Sequence, residues 1–439
     1  MKLPDGGLTE LLPYLEPSGV WIREGEGILG LGVAAQTSAR GSERFARLAH
    51  WWSDVASPTA PSAALDTGDG TAPGAGPIAF TAIAYSADSQ AESRMIVPEV
   101  VLRAAQGRCW ATVIAHGEAA ALPTALSRHG LQLDDGVLSL SATAAMRTDP
   151  PPPAVLQAGT HPQSHHLEAV AAGIRAITER RLEKLVLARD VLVSAGAPLR
   201  PGQVLSRLAA GYPTCWTYYA GDVLGATPEM LVKVRGASVS ARVLAGTVEH
   251  RVSAGEAQAM LLEDAKQLNE HLLAVESLLE QLAPVTDELA AAELPEVLEL
   301  PNVYHLSTDV TGQLARDCPR EGGDSGALPP ALLVAERAHP TAAICGTPTA
   351  TAAELISTLE DLDRGLFSGP VGWVDARGNA DFGIALRGGV LEEGPSGEPR
   401  TQLRLYAGGG IVAGSKPETE LAETTAKMRP MLWALGLTD

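Results

Sequence analysis

Amphipathic helices alternate with short apolar strands along this chain, and this alternation limits the possible folds more than any other feature. The helical spacing is clearest in residues 254–282, where Leu261, Leu268 and Leu272 fall on one face. Helices are predicted at 164–182, 201–210, 254–282, 350–362 and 417–434, and strands at 185–193, 215–220, 230–235, 370–376, 381–390 and 402–407. This order predicts an α+β (α/β) architecture.

Segments rich in proline and small residues divide the chain. Residues 150–153 are four consecutive prolines, which exclude a helix or a central strand at that point. We expect them to separate a variable N-terminal part, residues 1–159, from the part that carries the motifs, residues 160–439. Surface loops are predicted at 57–77, 318–330 and 392–400.

The net charge and the cysteines of the chain indicate which binding partners and which cellular compartment to expect. The net charge of −19 argues against nucleic acid or an anionic membrane as a partner, and it means that an anionic substrate needs a local cationic site. No segment is long and apolar enough to span a bilayer, and the N-terminus has no apolar signal core. The cysteines Cys109, Cys215, Cys318 and Cys345 are scattered without metal-ligand spacing, which favours reduced thiols and a cytoplasmic location.

Two glutamates near the C-terminus are candidate metal ligands. Glu420 and Glu423 lie three positions apart in the predicted helix 417–434, so their carboxylates share one face, and Lys427 follows one turn later. Mg²⁺ binds such oxygens, and the preceding glycines 408–410 allow a backbone to approach an anion closely. The pattern indicates either a site for a metal and a carboxylate ligand or a solvated acidic helix after a glycine-rich turn.

A further candidate carboxylate lies in the middle of the predicted helix 254–282, in the stretch Lys266-Gln267-Leu268-Asn269-Glu270-His271. Glu270 is a candidate to supply a ligand from across a cleft, since Mg²⁺ usually takes one or two carboxylates and keeps several waters or substrate oxygens. We expect His271 to pack or to support the site, because Mg²⁺ prefers oxygen.

Several short motifs follow one another in the second half of the chain. They are Glu183–Arg189 (EKLVLAR), Leu224–Glu229 (LGATPE), Leu244–Thr247 (LAGT), His305–Thr308 (HLST), His339–Pro348 (HPTAAICGTP) and Phe367–Trp373 (FSGPVGW). In order and spacing this set resembles the chorismate-utilising enzymes, and among them the isochorismate synthases, over residues 160–437.

The resemblance implies a fold and a reaction. The fold would be one large two-layered domain with central antiparallel sheets flanked by helices and a site in the cleft between the layers. The reaction would be the Mg²⁺-dependent conversion of chorismate to isochorismate, in which water adds at C2, the double bond shifts and the C4 hydroxyl leaves. Glu270 and Glu423 would hold the metal, with Glu420 supporting it.

Lys184 and Glu229 are the candidate catalytic pair. Lys184 opens an apolar strand and Glu229 follows Thr227-Pro228 at a strand end, positions that also suit a lysine reaching solvent and a glutamate in a solvated turn. By resemblance, Lys184 is the base that activates water and Glu229 is the acid that protonates the leaving hydroxyl.

The resemblance also implies a set of substrate contacts. They are Ala245, Gly246, Thr247, His305, Thr341, Arg387, Tyr406, Gly408, Gly410 and Lys427. Arg387 would clamp the enolpyruvyl carboxylate through a bidentate pair, although the residue alone also fits a plain salt bridge. His305 is expected beside the ligand, where a lone histidine is also consistent with a structural role.

A few residues bear on the alternatives, which are a salicylate synthase, a non-catalytic chorismate-binding subunit and an ammonia-using subunit. Lys184 stands where ammonia-using relatives have glutamine, Ala245 cannot act as a nucleophile, and Phe367 stands where salicylate synthases have tyrosine. Gln267 stands where many of the enzymes that this chain resembles have Asp or Glu, which supports the metal. The amide weakens the expected metal binding and favours menaquinone over siderophore synthesis. We expect no obligate glutaminase partner, and a monomer or weak dimer.

Overall fold

The computed structural model describes residues 1–3, 6–56, 73–74, 76–115, 117–145, 150–249, 252–300, 303–316, 331–392 and 399–437. The predicted loop 318–330 lies outside these ranges, together with Cys318, and the predicted loops 57–77 and 392–400 lie largely outside them.

The described residues form strands, α-helices and two 3₁₀ helices. The strands are β1 (Pro17–Arg23), β2 (Glu26–Leu31), β3 (Ala35–Ala39), β4 (Ile78–Ala82), β5 (Ser93–Val97), β6 (Val100–Ala105), β7 (Arg108–Val113), β8 (Leu131–Asp134), β9 (Val137–Leu140), β10 (Ala154–Ala158), β11 (Lys184–Ala195), β12 (Trp216–Ala220), β13 (Val223–Thr227), β14 (Met230–Arg235), β15 (Ser238–Glu249), β16 (Thr286–Ala291), β17 (Glu296–Leu300), β18 (Val303–Leu314), β19 (Gly346–Thr347), β20 (Pro370–Asp375), β21 (Ala380–Ile384), β22 (Gly388–Leu391) and β23 (Gln402–Ile411). The α-helices are α1 (Arg44–Ala56), α2 (Leu122–Arg128), α3 (Ala142–Ala145), α4 (Gln163–Thr178), α5 (Pro201–Gly211), α6 (Ala254–Glu263), α7 (Ala265–Leu282), α8 (Ala331–Ala338), α9 (Thr349–Glu360) and α10 (Pro417–Ala434). The 3₁₀ helices are Gly7–Tyr14 and Ala283–Val285.

Two large antiparallel sheets form the centre of the fold. The first sheet has the strand order β10-β11-β23-β22-β13-β12-β1-β2-β6-β7, and β19 pairs with β11. The second has the order β16-β18-β15-β14-β21-β20-β4-β5-β3, and β17 pairs with β18. The N-terminal strands are shared between them, since β1, β2, β6 and β7 belong to the first sheet and β3, β4 and β5 to the second.

Apolar side chains fill the space between the sheets and cover their outer faces. Trp21 and Tyr218 of the first sheet pack in one buried cluster with Phe80 and Trp373 of the second. Helices α5 and α10 pack on the first sheet, while α1, α7 and α8 pack on the second. These layers confirm the predicted α+β architecture of central antiparallel sheets flanked by helices.

One predicted strand, 381–390, is wrong. The chain forms β21 in the second sheet, leaves it at residues 385–387 and enters the first sheet as β22. The apolar pattern continues across this crossing, so the local sequence does not reveal that the two halves pair with different neighbours.

The predicted strand 402–407 continues further than expected, because the glycines 408–410 lie inside strand β23 and not in a turn. Gly408, Gly409 and Gly410 stand opposite Ala188, Leu187 and Val186 of β11 in an antiparallel ladder. Glycine is unfavourable in a strand interior, and there it often marks a place where another group approaches the backbone closely.

The predicted helix 254–282 is two helices that meet at Asp264. Ser253 and Glu256 form a capping box at the start of α6. Asp264 ends α6 in an extended conformation, and its carboxylate accepts a hydrogen bond from the Gln267 N–H in the first turn of α7. Among the described residues, none of the helices is both long and apolar enough to cross a membrane.

Candidate active site

A cavity of about 550 Å³ lies where the chain crosses between the two sheets. Glu229 lies in the crossing from β13 to β14, and Arg387 lies in the crossing from β21 to β22. Of the predicted site residues, Lys184, Glu229, Gly246, His305, Arg387, Tyr406, Gly408, Gly410, Glu420, Glu423 and Lys427 line the cavity. The fold therefore brings most of the predicted site together.

Glu229 is held by its backbone and is almost completely buried. Its N–H donates to Thr227 Oγ1 over 3.3 Å, and the residue is only 9% exposed. Burial raises the pKa of Glu229 to about 7, although the charges of Lys184, Lys427 and Arg387 act in the opposite direction. A carboxyl group with this pKa carries a proton for a large fraction of the time near neutral pH.

Lys184 is the first residue of β11. It lies beside the glycines 408–410 of β23, here called the glycine strand. A methyl group added at Gly410 would lie 3.2 Å from Lys184 Cε and 3.7 Å from Nζ. The absence of a side chain at Gly410 thus leaves the room that the lysine chain occupies. Lys184 and Glu229 line the same cavity, so an amine and a carboxyl group border one space.

Arg387 has a backbone conformation that is uncommon for a residue with a side chain. Its φ is +50°, in the left-handed region. Its carbonyl oxygen accepts a 3.3 Å hydrogen bond from the N–H of Ala226, which fixes the crossing against β13. Burial lowers the pKa of Arg387, while the nearby Glu423 and Glu229 carboxylates act to raise it. A guanidinium stays charged in such surroundings, so Arg387 supplies a fixed cation.

Helix α10 lays its charged face over the glycine strand. Lys427 Nζ donates to the carbonyl oxygen of Gly408 over 2.8 Å and lies 2.5 Å from Glu423 Oε1. A methyl group added at Gly409 would lie 3.3 Å from Glu420 Oε2 and 3.8 Å from Glu423 Oε1. The glycines therefore admit two carboxylates and an ammonium group close to the strand.

The two α10 carboxylates fit part of a magnesium site. Glu420 is 7% exposed and Glu423 lies at the rim, so both oxygen donors border the cavity at different depths. The side chain of Glu270 lies outside the described part of the structure, although its backbone belongs to α7. Among the described side chains, no group of three or more His, Cys, Asp or Glu is arranged to hold a metal ion.

His305 lines the cavity as a neutral ring. Burial and the charges of Arg387 and Lys427 lower the pKa of His305 to about 4. Its Nδ1 lies 3.2 Å from the carbonyl oxygen of Gly246, and the neutral ring therefore carries its proton on Nδ1 to donate this bond. His271 does not face the cavity: it is buried, and its Nε2 lies 2.6 Å from Thr308 Oγ1, as expected for a packing residue.

Of the predicted site residues whose side chains the structure describes, Thr341 is the one that does not line the large cavity. It lines a separate cavity of about 10 Å³, which it shares with Glu229 and Ala343. The side chains of Ala245 and Thr247 lie outside the described part of the structure.

The sequence analysis missed Arg364, which lines the cavity as half of a buried ion pair. Arg364 Nε and Nη2 donate to Glu360 over 2.9 and 2.6 Å, and Nη1 and Nη2 each donate to a backbone carbonyl at 2.9 Å, of Ile344 and Val186 respectively. Glu360 Oε1 also accepts from the N–H of Ala188 over 2.6 Å. The i,i+4 spacing of Glu360 and Arg364 was a signal, but it does not distinguish a buried pair from a surface pair.

Comparisons with known proteins find related sequences over most of the chain. A family model described as chorismate binding enzyme matches residues 20–436. The isochorismate synthase DhbC of Bacillus subtilis (strain 168) is 36% identical over 283 residues, which are 61% of this chain and 67% of that protein. The putative isochorismate synthase MenF of Mycobacterium tuberculosis (strain H37Rv) is 35% identical over 335 residues, 72% of this chain and 86% of that protein.

A solved structure is similar over nearly the whole chain. It is a putative 2,3-dihydroxybenzoate-specific isochorismate synthase, DhbC, from Bacillus anthracis. The TM-score is 0.70 at 27% sequence identity, and the match covers 98% of this chain and 100% of that one.

Proposed function

The chain belongs to the family of chorismate binding enzymes, and we propose that it is an isochorismate synthase, which converts chorismate to isochorismate. The observation that carries this proposal is the placement of Lys184 and Glu229 on one cavity, with the pKa of Glu229 raised to about 7. A base and a protonated acid bordering one space suit a reaction in which water enters and a hydroxyl leaves.

In the proposed reaction the two residues move protons at different carbons. The Lys184 amine accepts a proton from the water that adds at C2, and the ring double bond shifts. The Glu229 carboxyl donates its proton to the C4 hydroxyl, which leaves as water. Atoms balance, because one water enters and one leaves.

The substrate carries two carboxylates, and the cavity carries several cations for them. We assign Arg387 to the enolpyruvyl carboxylate, since a guanidinium matches a carboxylate with two parallel hydrogen bonds. Lys427 lines the same cavity, donates to the carbonyl oxygen of Gly408 and adds positive charge near the glycine strand. These local charges oppose the overall charge of −19.

We propose Mg²⁺ as the cofactor, held by Glu423 and Glu270 with support from Glu420. Carboxylate oxygens are the donors that Mg²⁺ prefers, and Glu420 and Glu423 border the cavity beside Gly409. When bound, the ion supplies positive charge that neutralises and orients the C1 carboxylate of the substrate. Gln267 also lines the cavity and offers a neutral oxygen where an acidic residue would add charge.

The product fits either of two roles, menaquinone synthesis or siderophore synthesis. We favour menaquinone synthesis because of Gln267. We further propose that the enzyme acts in the cytoplasm as a monomer or weak dimer and without a glutaminase partner.

Incubation of the purified protein with chorismate and Mg²⁺, followed by chromatography, tests the function. We expect isochorismate, without added ammonia or a second protein. Salicylate with pyruvate would instead identify a salicylate synthase, and an aminated product that forms only with ammonium would identify an ammonia-using subunit. Lys184→Ala in the same assay shows whether the product arises in this cavity, and Lys233→Ala, outside the cavity on β14, is the matched control.

A further inference from the structure

A second, much smaller cavity lies behind Glu229. Its volume is about 10 Å³, close to the space that one water molecule needs. Its wall is mostly apolar, with Leu231, Ala274 and Ile384 among the lining residues, while Glu229 and Thr341 supply polar groups. Glu229 and Ala343 line both this cavity and the large one, so the two spaces adjoin at these residues.

The hydroxyl group of Thr341 indicates what occupies this space. Thr341 Oγ1 is buried and has no hydrogen-bond partner among the described residues. A buried hydroxyl without a partner destabilises the fold, and buried waters commonly satisfy such groups. A water in the cavity would give Thr341 its missing partner and would lie beside Glu229, which lines the same cavity.

One wall of the small cavity reaches toward solvent. Arg242 lines it, and the Arg242 side chain is 34% exposed and bonded to Asp309 at the surface. Arg242 thus extends from the wall of the small cavity to solvent.

The proposed reaction leaves Glu229 in need of a proton, which this arrangement supplies, while Lys184 releases its additional proton to water in the large cavity. Each turnover leaves Lys184 with one additional proton and Glu229 with one fewer, although no proton is consumed overall. We propose that the small cavity holds one water molecule, bonded to Thr341 Oγ1 and the Glu229 carboxyl, that relays a solvent proton back to Glu229. Thr341 is then a positioning residue, and this inference rests on the proposed function.

Thr341→Val tests the proposal, because it replaces the hydroxyl with a methyl group of similar shape. We expect kcat to fall roughly 3- to 10-fold, the rate equivalent of about one hydrogen bond, with the KM for chorismate changed less than twofold. The solvent deuterium isotope effect on kcat should increase, since proton return becomes slower. Thr341→Ser should restore kcat, because it keeps the hydroxyl.

Two further variants distinguish the relay from a purely structural effect of the Thr341 substitution on kcat. Ala274→Val adds methyl groups to the cavity wall and should lower kcat in the same way without changing Thr341. Thr217→Val removes another buried hydroxyl that has no partner among the described residues, and it should leave kcat and the isotope effect unchanged. Melting curves of all variants confirm that they are folded.

The outcomes separate the proposals. An unchanged kcat in Thr341→Val, or a raised KM with kcat unchanged, would overturn the relay and in the second case place Thr341 against the substrate. If the unaltered protein forms no isochorismate, the proposed function is wrong and the relay with it. Turnover by the unaltered protein and an unaffected Thr341→Val variant would overturn the relay alone.

Discussion

The N–H of Ile384 donates a 3.1 Å hydrogen bond to the carbonyl oxygen of Glu229, and this bond joins the two crossings that form the site. A second bond, from the Ala226 N–H to the Arg387 carbonyl oxygen, joins them again on the other side. Glu229 and Arg387 are therefore positioned by backbone hydrogen bonds. Their side chains remain available for the substrate, which is the arrangement a preorganised site requires.

The raised pKa of Glu229 predicts how activity depends on pH. The acid must be protonated to act, so kcat/KM should fall as pH rises through about 7. A pH profile of kcat/KM measures this directly. A basic limb that begins only above about pH 9 would contradict Glu229 as the titrating acid.

The same pKa predicts a stability effect. The folded protein keeps the Glu229 proton up to about pH 7, whereas the unfolded chain loses it near 4.5. The stabilisation is therefore complete below about pH 4.5 and is lost as pH rises through about 7, with a range of about 3 kcal/mol. Glu229→Gln removes this dependence, so its Tm relative to the unaltered protein should increase between pH 5 and pH 8. Glu354→Gln, on the exposed face of α9, should show no such trend.

The assigned proton transfers predict large kinetic losses with retained binding. Lys184→Ala and Glu229→Ala should each lower kcat by about 10²- to 10⁴-fold, the usual contribution of a positioned acid or base. Chorismate should still bind both variants, as measured by calorimetric titration. Weaker binding with normal kcat would instead indicate that the residue acts as an electrostatic clamp.

Elements with strong local patterns were predictable from the sequence. Helices α9 and α10 and strands β11 and β14 lie within two residues of their predicted bounds, because helical or strand periodicity continues along each of them. The crossing at Arg387 was not predictable, since its positive φ follows from pairing with two different sheets and not from its neighbours in sequence.

The site residues depended on the family motifs more than on local patterns. Lys184 and Glu229 are single charged residues at strand ends, where the sequence alone also allows solvent-exposed positions. Glycines 408–410 suggested a turn because glycine is rare in strands, yet the β11 ladder and the contacts of α10 hold them in β23. Contacts between residues distant in sequence thus determine whether these glycines form a turn or a strand.

The proposed magnesium site predicts that a chelator abolishes activity and that added Mg²⁺ restores it. Glu423→Ala should lower activity more than Glu420→Ala, because Glu423 is assigned to the metal and Glu420 to its support. Glu418→Ala, exposed on the same helix and outside the cavity lining, is the matched control. Full activity in excess chelator would contradict the proposal.

The buried pair of Glu360 and Arg364 predicts a large stability effect. Arg364→Met leaves the Glu360 carboxylate without its cation and should lower the free energy of unfolding by roughly 3–5 kcal/mol. Arg40→Met breaks an exposed pair with Glu92 and should cost less than about 1 kcal/mol. Urea titrations compare the two, and similar costs would show that burial of the pair is not decisive.

The charge of Arg387 predicts a loss of substrate affinity that general attraction cannot replace, since the protein and chorismate are both negative. Arg387→Ala should weaken chorismate binding by roughly 2–5 kcal/mol, the range for removing one partner of a buried charge pair. Arg387→Lys should recover only part of this, because an ammonium group cannot form two parallel hydrogen bonds.

The positive φ of Arg387 requires a second variant, because alanine is strained in this conformation and glycine is not. If the lost affinity reflects the guanidinium, Arg387→Gly and Arg387→Ala should lose the same amount in a titration with chorismate. If it reflects distortion of the crossing, Arg387→Gly should bind much better than Arg387→Ala. Arg377→Ala, an exposed arginine in the turn before β21, should bind chorismate normally. An unchanged dissociation constant in Arg387→Ala would leave Lys427 and the glycine strand to hold both carboxylates.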